Sequence, residues 1–144
     1  MADGEFDGEL SAYRWWFYAA AVYNLLWGTL NVLFPNLYFD VIGMSRPSYP
    51  ALWQVVGMFV AVFAPVYWWM GRHPGRFRHF IVIAILGKTF GPLGFVLSLL
   101  SGQLPPAFAW TLLTNDLFWW PAFWLYLRDV VRLYGGIKPL LLGE

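Results

Sequence analysis

Four stretches of about twenty residues, 15–34, 51–70, 80–100 and 107–127, carry between them only two charged side chains, Lys88 and Asp116. At about 1.5 Å of rise per helical residue, each is long enough to cross the roughly 30 Å hydrocarbon core of a bilayer. Backbone groups find no water there, so a helix that satisfies its own amides is the structure such a stretch can adopt. The pattern predicts an all-α polytopic membrane protein, a single integral domain over 1–144 whose four transmembrane helices form an antiparallel bundle joined by short connections.

Composition excludes several other classes. The chain is 60% hydrophobic and 12% charged, against about 25% charged in soluble domains, which leaves too little polar surface to cover a soluble fold. There is no cysteine and there are two histidines, so no cysteine-based cofactor or thiol redox couple is available and a paired-histidine haem site is disfavoured. Neither catalytic machinery nor a metal-ligand set is legible. The nine basic residues are scattered and the net charge is +1, which gives no nucleic-acid footprint. Membrane lipids are the implied partners, together with other membrane subunits or further copies of the chain. The cofactor is left open, with a bound lipid, quinone or pigment as the candidates.

Orientation follows from Lys and Arg counted by side. Arg14, Arg72, Arg76, Arg78, Arg128, Arg132 and Lys138 fall on one side and Arg46 on the other, which predicts both termini in the cytoplasm. The acidic start (Asp3, Glu5, Asp7, Glu9) has no basic flank or small-residue cleavage site, so the first span reads as a retained anchor. Tyr13, Trp15, Trp16, Trp68, Trp69 and Tyr126 form an expected aromatic belt at the basic end, and Tyr49, Trp53 and Trp110 one at the other. The connection 35–50 contains Leu37, Tyr38, Phe39, Val41, Ile42 and Met44 and reads as an apolar element packed on the helix ends, with a gating lid as the alternative. Residues 133–144 read as a flexible tail or a docking peptide. Pro65, Pro92 and Pro121 are each expected to interrupt a span.

Polar residues inside a membrane are costly and face the protein interior, so depth decides which of them meet. Lys88 lies about 12 Å from the cytoplasmic end of its span, Asp116 about 16 Å and Asn24 about 13 Å. With Thr89, Thr114 and Asn115 they form one predicted layer. It reads either as a neutralised ion pair locking two helices together or as a pocket for a polar head group or for proton handling. The ligand-binding candidates are Lys88, Asp116, Asn115, Asn24 and Thr89, with aromatic walls from Phe90, Trp119, Trp120 and Phe123. Pro92 leaves the Lys88 carbonyl without its helical donor, adding an acceptor to this layer. Asn31, Gln54 and Thr111 suggest a second, outer layer of interhelical hydrogen bonds.

Gly87, Gly91 and Gly94 share one helical face, which predicts either close helix packing or a groove that admits a flat ring or acyl chain. His73 and His79 fall in or beside the basic loop 71–79 and read as solvated. Arg72, Arg76 and Arg78 read as topology signals that contact anionic lipid.

The order of spans from Tyr13 to Arg128, the Pro35/Gly43 connection and the Gly57-containing second span resemble the broad DoxX-like group of small bacterial four-helix membrane proteins. The strings GKTFGPLGF (87–95), LPPAF (104–108) and TNDLFWWPAF (114–123) are similar to a narrower family of that kind. The resemblance implies a bacterial inner-membrane location and a shared polar core around Lys88, Asn115 and Asp116. The resulting expectation is an integral membrane protein without catalytic machinery, acting as an accessory subunit of a larger complex or as a lipid-, quinone- or pigment-binding module. The alternative is a membrane enzyme or carrier that uses the Lys88/Asp116 pair on an amphiphilic substrate.

Overall fold

The computed structural model describes residue 4 and residues 6–142, so Asp3 and Glu5 of the acidic start and the last two residues of the tail lie outside the described residues. All regular structure among the described residues is helical: α1 (Arg14–Leu33), α2 (Leu37–Ile42), α3 (Pro50–Arg72), α4 (Phe80–Leu100), α5 (Ala109–Asn115), α6 (Trp120–Leu133) and α7 (Ile137–Leu142). Two of them, α3 and α4, are long and apolar enough to cross a membrane, with mean hydropathies of 1.6 and 2.0. Only 22% of the most apolar stretch of each is buried, unlike the core helix of a soluble protein. In α1 the twenty residues include Arg14, Asn24 and Asn31, which lower its mean hydropathy.

The helices group in two sets, of which only α1 with α3 is tightly packed. α1 runs along α3 over a long interface, and α4 packs against α5 and α6, whereas the consecutive helices α3 and α4 stay further apart. α1 and α3 touch backbone to backbone at Gly28 and Gly57: a Cβ on Gly28 would lie 2.6 Å from the Gly57 carbonyl oxygen, and one on Gly57 would lie 2.8 Å from that of Gly28. The glycine face predicted for this role, Gly87/Gly91/Gly94, does not serve it. Cβ atoms at Gly87 and Gly94 would meet nothing within 4 Å, and only Gly91 is approached, by the Asp116 carboxylate. Between the sets lies an aromatic core in which Phe17 of α1 and Tyr67 of α3 close on Phe123 of α6, at ring distances of 5.6 and 5.4 Å.

Prolines act differently from the expected interruptions. Pro65 and Pro92 sit inside continuous helices, and Pro121 lies in the first turn of α6, where its missing N–H costs no helical bond. The fourth stretch breaks at Asp116, whose φ of −121° and ψ of −66° leave the helical region, so the single helix expected over 107–127 is α5, a 3-10 turn and α6. Two of the carbonyls at the break find side-chain donors: Trp119 Nε1 donates to Thr114 O at 3.0 Å and Lys88 Nζ donates to Asn115 O.

The connection 35–50 packs on one end of the bundle, as expected. α2 buries Phe39, stacks Tyr38 on Trp53 at 5.6 Å, and ends at Gly43 with φ 71°, a left-handed terminus that glycine accepts without strain. At the other end the tail folds back instead of hanging free. α7 buries Leu140 in the core, and its carbonyl lies 3.1 Å from His79 Nδ1. Asp7 accepts from the Gly75 amide at 2.7 Å and pairs with His73 at 3.2 Å.

Two further expectations change at this end. Tyr126, predicted in the aromatic belt, is wholly buried and donates to Pro74 O at 2.5 Å. Arg78, predicted to face lipid, is buried, donates to Gly75 O and lies 4.0 Å over the Tyr134 ring. Of the other residues expected in the belts, Trp15, Trp16, Trp68, Trp69, Tyr49 and Trp110 are exposed, whereas Tyr13 and Trp53 are half-buried and donate to Asp129 and Asn31.

Candidate functional site

α4 carries Lys88 into the gap between the helix sets, and the α5–α6 break presents Asp116 opposite it. Lys88 Nζ lies 3.6 Å from Asp116 Oδ1, with the two side chains 7% and 8% exposed. Gly91, one turn beyond Lys88, makes room for this approach: a Cβ there would lie 2.8 Å from Asp116 Oδ2. Lys88 has a second task, since its donation to Asn115 O satisfies the C-terminal carbonyl of α5, where a positive charge also complements the helix dipole. Asn115 Nδ2 donates to Asp116 Oδ1 at 3.2 Å. That contact orients the amide, because the carboxylate accepts and the nitrogen must face it.

The Lys88 carbonyl left free by Pro92 does find a donor. Trp120 Nε1 reaches it at 3.1 Å, so this acceptor is used in closing α6 onto α4 and is not open to a ligand.

Lys88, Asp116, Asn115 and Asn24 line one cavity of about 110 Å³, polar and roomy enough for water. It lies where α3 and α4 diverge, and Phe59 and Gly87 on its rim are exposed, so it opens sideways between these helices. The charged pair is neutral as a unit. The remaining polar groups are not paired: Asn24, 2% exposed, and the Tyr67 hydroxyl, on a residue 1% exposed, have no hydrogen-bond partner among the described residues, and Asn115 Oδ1 is buried without one. A buried polar atom without a partner, such as Asn115 Oδ1, is uncommon and costs about 1–3 kcal/mol when left dry.

The depths read along the chain therefore brought four of the five predicted binding residues together. Thr89 does not join them; its hydroxyl is buried without a partner away from the cavity lining. The predicted aromatic walls do not face the cavity either. Phe90 is 63% exposed on the outer face, Trp119 and Phe123 are packed in the core, and Trp120 caps Lys88. The wall comes from α3, through Phe59, Phe63 and Tyr67. Their spacing of four residues places them on one helical stripe, the signal by which the sequence would have disclosed them. Tyr67 is the polar group that sequence reasoning missed.

The outer layer forms as hydrogen bonds between elements. Trp53 Nε1 donates to Asn31 Oδ1 at 2.5 Å, Gln54 Nε2 donates to Val32 O at 2.7 Å, and the Thr111 hydroxyl donates to that of Tyr38. His73 and His79 lie at the opposite end from this layer, at the chain connections described above.

Comparison with family models, curated proteins and solved structures finds no match to this chain.

Proposed function

We propose that the chain is a four-span integral membrane protein of the bacterial inner membrane, DoxX-like in layout and with both termini cytoplasmic, that binds the polar head of an amphiphile in the Lys88/Asp116 cavity. The observation that carries this reading is a sideways opening onto a layer of buried, partnerless polar groups, bounded by helices whose outer faces are apolar. An amphiphile entering from the bilayer would place its head on Asn24, Tyr67 and Asn115 and leave its chain in lipid along Phe59. Binding is favoured over turnover because Lys88 and Asp116 are engaged with each other and with the end of α5. A general acid or base needs a group free to meet its substrate.

Native mass spectrometry of the protein extracted gently from its own membrane tests this reading. The expected result is one bound amphiphile per chain, lost in Gly87→Phe, which fills the mouth where an added Cβ meets nothing within 4 Å. A spectrum of bare protein, identical for both forms, would overturn it. A second reading, an accessory subunit of a larger complex, is favoured by the exposed groove between α1 and α3 lined by Val22, Leu25, Trp68 and Trp69. Stoichiometric co-purifying subunits in the same spectra would support it.

A further inference from the structure

We infer that the head group taken by this cavity is uncharged and carries a hydroxyl, as in a monoacylglycerol; the inference rests on the reading of the cavity as an amphiphile site. The charged side chains lining it are Lys88 and Asp116, of opposite sign and 3.6 Å apart. An anion would have to draw Lys88 away from both Asp116 and the Asn115 carbonyl. A cation would have to draw Asp116 from Lys88, from Asn115 Nδ2 and from the notch at Gly91. Either would add a net charge to a low-dielectric site already balanced, where an isolated charge is expensive.

The groups left over specify the chemistry more closely. Asn115 Oδ1 is an acceptor without a partner, and one N–H of the same amide is engaged by Asp116. Asn24 and Tyr67 both donate and accept. A carboxylate or phosphate dianion has no proton for Asn115 Oδ1, whereas a hydroxyl gives one and accepts one. The cavity of about 110 Å³ suits a head of a few heavy atoms. Its aromatic wall of Phe59, Phe63 and Tyr67 offers an apolar path for the first methylenes of the chain.

The experiment uses the full chain in a mild detergent, with 1-monolauroylglycerol and dodecyl phosphate as probes of equal chain length, titrated by native mass spectrometry. Expected is one monolauroylglycerol per chain, bound at least ~10-fold more tightly than dodecyl phosphate. Tyr67→Phe should weaken it ~3- to 10-fold, the range for one neutral hydrogen bond, and Gly87→Phe should abolish it while leaving the melting temperature unchanged. Tighter binding of dodecyl phosphate would overturn the uncharged-head inference and leave the amphiphile site standing. Failure of both probes, with a native amphiphile still lost in Gly87→Phe, would likewise overturn the head-group inference alone. If nothing binds and Gly87→Phe is indistinguishable from the parent, the cavity holds only water and both readings fall.

Discussion

Removing one member of the Lys88/Asp116 pair should cost far more than half of removing both. At 3.6 Å and an effective dielectric of about 20, the attraction is about 5 kcal/mol. Much of it offsets the cost of holding two charges out of water, so the pair by itself adds little net stability. Breaking it is another matter. Asp116→Leu leaves a buried ammonium, and Lys88→Met leaves a buried carboxylate together with an unpaired Asn115 carbonyl; each single change should destabilise by about 3 kcal/mol or more. The double variant keeps the orphaned Asn115 carbonyl and the Asn115 amide N–H that Asp116 had accepted, together about 1–3 kcal/mol. The singles therefore sum to about 6 kcal/mol against about 3 for the double, a coupling of about 3 kcal/mol. Unfolding by dodecyl sulfate titration in bicelles, followed by tryptophan fluorescence, measures all four corners of the cycle. Singles that add to the double within about 0.5 kcal/mol would refute the pair as a neutralised unit.

The α4–α6 contact gives a rescue experiment. Trp120→Phe should cost about 1–3 kcal/mol by orphaning the Lys88 carbonyl, and Pro92→Ala in that background should restore part of it, because alanine brings the helical N–H back; no recovery would mean that the indole was not replacing it. Gly28→Ala should destabilise by about 1–3 kcal/mol, since its Cβ meets backbone of α3 at 2.6 and 2.8 Å, whereas Gly94→Ala should be neutral or gain about 0.5–1 kcal/mol; thermal melts in detergent that rank them the other way would contradict the crossing. Tyr13 donates to Asp129 at 2.5 Å, which holds the Asp129 carboxyl below its ordinary range, while burial and then this bond push the phenol up to about 12. Asp129 stabilises fully above about pH 4 and loses this as pH falls through its lower folded value. Tyr13 stabilises fully below about pH 10 and loses this as pH rises toward 12. The melting-temperature difference between Tyr13→Phe and the parent should thus be largest between these limits and shrink outside them, and a difference constant from about pH 3 to about pH 11 would remove the bond as its cause.

Span lengths and depths were legible in the sequence because both are local quantities. The limits read for α1, α3 and α4 agree with the structure to within two residues, since apolar length and flanking polar residues set where a helix begins and ends. Depth along the axis follows from a fixed rise per residue, which is why Lys88, Asp116, Asn115 and Asn24 met as that rise required. Rotation about the axis is not local. Whether Phe90 or Phe63 faces the cavity, and whether Gly28 or Gly94 meets a neighbouring backbone, depends on which helices pair most closely, and the α1–α3 crossing at Gly28 and Gly57 settled that.

The sequence by itself determined an all-helical chain with apolar helices and a charged pair at one depth, through period, length and the scarcity of charge. Tertiary structure alone decided that the fourth stretch breaks at Asp116, because Lys88 has to arrive from α4 to satisfy the Asn115 carbonyl, which the turn's own Trp119, bound to the Thr114 carbonyl, does not reach. It also decided that α3 and α4 diverge, since close packing of α1 on α3, with α4 set against α5 and α6 instead, leaves a gap that the side chains present do not fill. Tyr67 became a candidate ligand contact for the same reason: whether a polar side chain is partnered is a property of what surrounds it in space, and no spacing along the chain records it.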